Sequence, residues 1–278
     1  MSINYDTITE QTFARGEDKS MEEYYVERAG SYMRYQVFPG EGTPILFIHG
    51  LGCAGSFDYP QVAARKELIG HERILVDLLG AGYSDKPKEF DYSVSSHAEY
   101  LKEFVDYLKL KEIIIFGHSL GGAVAIELAG MSKDRVRALI LAEANLDPSK
   151  EGATSYEITR VSEKDFMKTG YELLLETCKK SGNTMWAATM ANWEPYAAYR
   201  FSESALRGGN PSWRQCLYRL PIKKGFIYGE KSLPDKDWEE LESRGIHMEI
   251  VAGAGHSMAW ENPDGLAMAI ADCIKGMQ

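Results

Sequence analysis

The run Glu112-Ile-Ile-Ile-Phe116, followed by Gly117-His118-Ser119-Leu120-Gly121, decides how this sequence folds. The first five residues are typical of a strand buried on both faces of a sheet, and the alanine-rich stretch 122–129 is typical of a helix. A serine between two glycines at G-x-S-x-G spacing fits a sharp, strained strand-to-helix turn, because side chains at the glycine positions would collide. The helix directs its free N–H groups at that serine, where an oxyanion would be stabilised. The pattern predicts a nucleophile, Ser119; the competing interpretation is a glycine-rich turn whose serine has no role.

Comparable strand patterns occur on both sides of this turn. They lie at 24–29, 31–38, 44–48, 73–78, 137–142, 224–228 and 246–251. Helical patterns separate most of them; for example, the apolar residues between Val94 and Leu108 fall on one helix face. Alternating buried strands and helices predict an α/β protein with a mostly parallel, doubly wound sheet.

The alternation stops near residue 146 and resumes near residue 221. The stretch 146–220 contains no buried-strand run and instead predicts helices rich in tryptophan and tyrosine. We therefore expect a lead-in at 1–22, an α/β core formed by 23–145 and 221–278, and a helical insertion at 146–220 after the sixth strand.

Composition excludes several classes of protein. The 278 residues carry a net charge of −10, with 44% hydrophobic and 26% charged residues, as in a globular protein. The acidic balance argues against nucleic acid as a partner, and the sequence shows neither a membrane-spanning run nor the features of a signal peptide. The four cysteines are scattered and suggest neither disulfides nor zinc. We expect a cytoplasmic protein with a small-molecule substrate and with no metal or cofactor.

A serine hydroxyl needs a base to act as a nucleophile. Of the six histidines, His256 lies in a glycine-containing loop after the last predicted strand. That edge of an open α/β sheet carries the ligand site, so His256 is the predicted base. We expect His118 to point away from Ser119 and to line a pocket, and His71 and His97 to lie at the surface.

With these residues the chain resembles the α/β-hydrolase fold superfamily. The segments that carry the resemblance are His49-Gly50-Leu51-Gly52, the turn around Ser119, Ala254-Gly255-His256 and the loop 77–87. The resemblance spans roughly residues 24–275. It implies that the insertion forms a lid, and that the backbone N–H groups of Leu51 and Leu120 form an oxyanion hole.

The acid that would orient His256 is ambiguous in the sequence. In much of the family this acid follows the seventh strand, but here Ser232 occupies the expected place and Asp235 lies three residues further on. Other members carry the acid after the sixth strand, where this chain has Glu143 and, beyond it, Asp147. We select Glu143 first, Asp235 second and Asp147 third.

These residues predict a serine hydrolase that cleaves a carboxylic ester through an acyl-enzyme on Ser119. Trp186, Met190 and Trp193, together with His118, are predicted to line a largely apolar pocket for a small or medium substrate; taken singly, each also fits a packing role. Hydrolysis of a C–C bond, a thioester or a lactone uses the same triad. Haloalkane dehalogenases and epoxide hydrolases of the family use aspartate as the nucleophile, and a serine argues against their chemistry.

Two alternatives come from other classes of protein. The segment Gly50-Leu-Gly52-Cys-Ala-Gly55 also matches the G-x-G-x-x-G fingerprint of an NAD-dependent enzyme, with Asp77 after the next strand. Two strands precede it, however, whereas the fingerprint usually opens its domain. A non-enzymatic ligand receptor on the same fold is the other alternative, since such proteins can keep a triad.

Overall fold

The fold is built on one eight-stranded sheet. A computed structural model describes residues 21–276, so most of the lead-in predicted at 1–22 lies outside the described residues. The strands are β1 (Glu22–Val26), β2 (Ser31–Phe38), β3 (Gly42–Ile48), β4 (His71–Asp77), β5 (Ile113–His118), β6 (Val136–Ala142), β7 (Lys223–Gly229) and β8 (His247–Val251). Their order is β1-β2-β4-β3-β5-β6-β7-β8. Strand β2 runs antiparallel to both of its neighbours, and all other pairs are parallel. The predicted fold class is confirmed.

Helices cover both faces of the sheet. Outside the insertion they are α1 (Gly55–Asp58), α2 (Pro60–Ala63), α3 (Val94–Tyr107), α4 (Leu120–Met131), α11 (Trp238–Ser243), α12 (Met258–Glu261) and α13 (Pro263–Gly276). Successive residues of the central strand β3 face different cores: Leu46 packs with α3 and α4, and Phe47 packs with α2 and α13. Burial on both faces explains why these strands are continuous apolar runs.

The chain between β6 and β7 is helical. It contains α5 (Thr154–Ile158), α6 (Glu163–Asp165), α7 (Tyr171–Lys180), α8 (Thr184–Met190), α9 (Pro195–Arg207) and α10 (Trp213–Arg219). Its buried side chains, such as Met190 and Phe201, belong to the same apolar core as Leu120 and Val124 of α4. The insertion therefore packs onto the α/β body through an extension of the main core.

The turn between β5 and α4 depends on closely packed glycines. A Cβ atom on Gly121 would lie 2.2 Å from the backbone oxygen of His49, and one on Gly122 would lie 2.2 Å from the Cβ of Ala144. These contacts leave no room for a side chain. The segments that follow β3 and β6 therefore lie directly against the start of α4.

Gly121→Ala should lower the unfolding free energy by about 2–3 kcal/mol, because its methyl group meets backbone that cannot move without displacing β3. Gly130 is the matched control, since it lies in the same helix with no atom within 4 Å of an added Cβ. Gly130→Ala should instead stabilise the protein by about 0.5–1 kcal/mol. Urea titration of both variants measures the difference, and equal effects would contradict the packing described here.

Candidate active site

Ser119 lies at the end of β5, near the centre of the sheet, in a strained backbone conformation. Its φ of 53° and ψ of −126° are unusual for a residue with a side chain. Backbone bonds hold it there: its N–H donates to Ala142 O, and its carbonyl accepts from Gly122 and Asn145. Because Ser119 directly precedes α4, the side chain stands over the positive end of that helix.

Glu143 and His256 are in direct contact. The Nδ1 of His256 lies 2.7 Å from Oε2 of Glu143, although the two residues are far apart in sequence. Glu143 follows β6 with a positive φ of 40°, and its Oε1 accepts a hydrogen bond from Gly229 N at 2.9 Å. The Ser232 hydroxyl is a further partner of this carboxylate. The first choice made from the sequence, Glu143, is therefore the acid that the structure places against His256.

Burial and hydrogen bonding act in opposite directions on Glu143. Burial by itself raises the pKa of this carboxyl group, but hydrogen bonds from His256, Ser232 and Gly229 more than offset it, so that the pKa is lower than usual. Glu143 is therefore ionised at neutral pH. A carboxylate in this position fixes the tautomer of His256 with Nε2 free to accept a proton.

The other two candidate acids lie elsewhere. Asp235 accepts a hydrogen bond from the Tyr228 hydroxyl at 3.0 Å, and Asp147 pairs with Arg214 at 2.6 Å. Neither carboxylate has a contact with the His256 ring among the bonds of the described residues.

A cavity of about 560 Å³ joins Ser119 to His256. It is lined by Leu51, Ser119, Leu120, Asn145, Gly152, Ala153, Thr154, Ser155, Glu157, Leu174, Cys178, Asn183, Trp186, His256 and Ser257. Within residues 21–276, no hydrogen bond joins the Ser119 hydroxyl to the His256 ring; such contacts are often long before substrate binds. Ser119 and His256 thus line the same cavity, and Glu143 contacts His256 without being one of the residues that line it.

The insertion residues predicted from the sequence divide into two groups. Trp186 lines the cavity beside Ser119. Met190 and Trp193 are 0% and 3% exposed and pack in the core beneath it, where Trp193 stacks on Phe201. Their helical spacing reflects packing of the insertion onto the body.

His118 supports the loop that carries His256. Its Nε2 lies 2.9 Å from the backbone oxygen of His256, and the two rings are 4.7 Å apart. Burial, followed by repulsion from His256, lowers the pKa of His118 to about 3, so its ring is neutral and donates this bond. His118 lines a smaller neighbouring cavity, together with Cys53 and Trp260, rather than the one that Ser119 lines.

The surface position expected for His97 is wrong. It is fully buried on the inner face of α3, where its Nδ1 lies 2.8 Å from the Tyr100 hydroxyl. Its polar neighbours in sequence concealed its place on the apolar face of the helix.

The loop after β3 approaches Ser119 closely. A Cβ atom on Gly50 would lie 2.9 Å from that of Ser119, so glycine is required there. The N–H of Leu78 donates to His49 Nε2 at 2.9 Å, and this leaves the proton on Nδ1 to be donated to Gly50 O, also at 2.9 Å. Burial lowers the pKa of His49 and keeps it neutral.

These bonds orient the predicted oxyanion donor. Since a peptide group is planar and trans, fixing the oxygen of Gly50 also fixes the opposite direction of the Leu51 N–H. Leu51 and Leu120 both line the cavity beside Ser119, and Leu120 is the first residue of α4, where N–H groups have no partner within the helix. Sequence reasoning gave His49 no separate role; its position directly before Gly50 was the available signal.

The geometry argues against the dinucleotide interpretation. Asp77 is fully buried, and its carboxylate accepts hydrogen bonds from Ser56 and Tyr83. The indole of Trp186 lies against Gly52, within 2.4 Å of where a Cβ would be. The acid that would bind a ribose and the glycine that would approach a pyrophosphate are therefore both covered.

Asp58 ties α1 to the segment that follows His256. It accepts hydrogen bonds from Ala54 N and from Trp260 Nε1, both at 2.7 Å. Burial raises the pKa of this carboxyl group from 3.8 to about 6. The Asp58 carboxyl group therefore binds its proton more tightly in the folded protein than in the unfolded chain. The stability gained from that proton is lost as the pH rises.

Replacing Asp58 should remove one pH dependence of stability. Each pKa unit corresponds to about 1.4 kcal/mol of stability. Ionisation of Asp58 should therefore lower the unfolding free energy by about 3 kcal/mol as the pH rises from about 4 to about 6. Asp58→Asn cannot ionise and should lack this decline, while every other carboxyl group contributes equally to both proteins. Denaturant titrations across this range make the comparison. Parallel curves for the two proteins would contradict the shifted pKa.

In the part of the chain that the structure describes, no group of three or more His, Cys, Asp or Glu residues is arranged to hold a metal ion. No helix among residues 21–276 is both long and apolar enough to cross a bilayer.

The fold and this site define a hydrolase of the α/β class. The chain belongs to the alpha/beta hydrolase fold family, whose sequence model matches residues 43–207.

Two curated relatives match part of the chain. Haloalkane dehalogenase 2 of Mycobacterium tuberculosis is 36% identical over 109 residues, covering 38% of this chain and 37% of that protein. An uncharacterised protein of the same organism, Rv2715, is 37% identical over 116 residues, covering 41% of this chain and 32% of its own length. The chain thus matches only about a third of the length of these curated relatives.

A solved structure extends the likeness in fold to almost the whole chain. A thermophilic esterase from Thermogutta terrifontis superposes with a TM-score of 0.76 at 19% identity, covering 93% of this chain and 99% of that one.

Proposed function

We propose that this protein hydrolyses carboxylic esters through an acyl-enzyme on Ser119. The observation that carries the proposal is the 2.7 Å contact between Glu143 and His256, because His256 lines the same cavity as a serine held in a strained turn. A largely buried, ionised carboxylate beside a histidine has little structural purpose, since it must overcome its own desolvation. It does serve a base that has to become an imidazolium.

The mechanism follows from these positions. Glu143 holds His256 with Nε2 as the acceptor, and His256 removes the proton of Ser119 as its oxygen attacks the ester carbonyl. The oxyanion accepts hydrogen bonds from the N–H groups of Leu51 and Leu120. His256 then protonates the departing alcohol. Water, activated by the same histidine, attacks the acyl-enzyme, and the acid is released with Ser119 regenerated.

The cavity supports a small or medium, uncharged substrate. Its apolar wall includes Leu51, Leu174 and Trp186. Among the described residues that line it, none is a lysine or arginine that would bind a carboxylate or phosphate, and the one carboxylate, that of Glu157, is ion-paired with Arg160 at 3.0 Å. A volume of about 560 Å³ falls in the usual range for small-molecule sites.

A panel of matched substrates tests this proposal. Nitrophenyl esters of neutral acids, graded in chain length, are compared with hemisuccinate-type esters that carry a terminal carboxylate, and with thioesters, lactones and 1,3-diketones. We expect saturable turnover of the neutral esters and much lower kcat/KM for the anionic ones. Higher kcat/KM for thioesters, lactones or diketones would replace the ester assignment while keeping the triad. A shift in melting temperature with NAD(H) and no turnover of any substrate would contradict the proposal.

A further inference from the structure

The oxyanion loop, which we define as residues 50–54, is bonded to the helical insertion as well as to the α/β body. Nε1 of Trp186 donates to the backbone oxygen of Leu51 at 3.0 Å. Nε1 of Trp193 donates to the backbone oxygen of Cys53 at 2.7 Å. Two tryptophans from a segment more than 130 residues away thus bind two carbonyls of one short loop.

We propose that Trp186 and Trp193 are positioning residues, which hold the oxyanion loop so that the Leu51 N–H faces the reacting carbonyl. The inference rests on the proposed function and assigns to the insertion a part in stabilising the transition state. It extends the expectation that these tryptophans only line or pack the substrate pocket.

Two peptide planes of the loop set the direction of the Leu51 N–H. Leu51 joins two peptide planes, one containing Gly50 O and its own N–H, the other containing its own carbonyl. His49 fixes the first plane from the body, and Trp186 fixes the second from the insertion. With both planes held, the N–H of Leu51 has one direction. Gly52, with a φ of 76°, gives the indole of Trp186 access to the loop.

Trp193 extends the restraint to the far end of the loop. The peptide plane that contains Cys53 O also contains the N–H of Ala54, which donates to Asp58 at 2.7 Å. Trp193 is itself held: its carbonyl accepts from the Tyr171 hydroxyl at 2.9 Å, and its ring lies edge-on to His49. The loop is therefore fixed between buried partners on the body and on the insertion.

Trp193→Phe is the test, because it keeps an aromatic ring and removes the N–H, and because Trp193 does not line the cavity. We expect kcat for the best neutral ester to fall about tenfold, which is well below the factor of about 10²–10³ lost when an oxyanion donor itself is removed. KM should change less than about twofold. Affinity for a trifluoromethyl ketone, which forms an oxyanion on the serine, should fall in parallel with kcat. Affinity for the product acid should not.

Trp213→Phe is the matched control. Trp213 is another buried tryptophan of the insertion, and its Nε1 donates to Glu127 at 2.7 Å, away from the oxyanion loop. Its replacement should cost comparable stability and leave kcat within about twofold of wild type. If Trp193→Phe does not fold, kcat is measured for Trp186→Phe, which removes the bond to Leu51 and should also lower kcat.

The outcomes separate the inference from the proposed function. An unchanged kcat in Trp193→Phe, or equal losses in Trp193→Phe and Trp213→Phe, would overturn the positioning role while the esterase stands. Wild-type protein that neither turns over esters nor reacts with a fluorophosphonate would overturn both. A loss of kcat confined to the variants bonded to the loop supports the inference.

Discussion

Ser119→Ala is expected to lower kcat for ester hydrolysis by a factor of about 10⁵–10⁶, the loss that follows removal of the nucleophile from a serine hydrolase. The reason is that the acyl-enzyme cannot form, so that only the oxyanion donors and binding remain to accelerate attack by water. Initial rates at saturating ester, with the variant purified in a host lacking background esterases, give the measurement.

Ser257→Ala is the control for Ser119→Ala. Ser257 lines the same cavity next to His256, so its replacement perturbs the wall in a comparable way without removing the predicted nucleophile. We expect kcat within about fivefold of wild type. If Ser119→Ala keeps a tenth or more of the wild-type rate, the acyl-enzyme mechanism is wrong for this protein.

The second large effect is expected at Glu143. Glu143→Gln should lower kcat by about 10³–10⁴, because the amide can present an N–H to Nδ1 of His256 and thereby favour the wrong tautomer. The amide keeps the size of the side chain and an oxygen for Gly229 N, so the fold should persist. Thermal unfolding checks the fold, and pre-steady-state release of nitrophenol reports the rate of acylation.

Asp235→Asn and Asp147→Asn are the controls for Glu143→Gln. Both carboxylates are bonded elsewhere, to Tyr228 and to Arg214, and neither change should alter kcat by more than about threefold. A large loss in Asp235→Asn with little effect of Glu143→Gln would mean that the loops rearrange and that Asp235 orients the histidine.

Local patterns predicted most of the scaffold and, in the site, Ser119, His256 and Glu143. The strands β3, β5 and β6 can be recognised in the sequence as apolar runs, because strands covered on both faces exclude polar side chains. Ser119 can be recognised as the predicted nucleophile because its turn requires glycines at 117 and 121. Glu143 could be selected because a carboxylate directly after a buried strand is costly unless it is paired.

The remainder depends on contacts between distant segments. Whether Met190 and Trp193 face a substrate or the core is decided by how the insertion is seated, and helical spacing is the same in both cases. His97 illustrates the same limit, because its burial depends on α3 packing against residues of α9, including Phe201. The bonds from Trp186 and Trp193 to the oxyanion loop leave no sequence pattern at all.

Covalent labelling tests whether Ser119 is an activated nucleophile without any assumption about the substrate. Wild-type protein is treated with a fluorophosphonate and the adduct is mapped by mass spectrometry, with Ser119→Ala and Glu143→Gln treated in parallel. We expect one adduct per chain, on Ser119 alone, with none in Ser119→Ala and much slower labelling of Glu143→Gln. Folded wild-type protein that gains no adduct, or gains it on another residue, would mean that Ser119 is not an activated nucleophile.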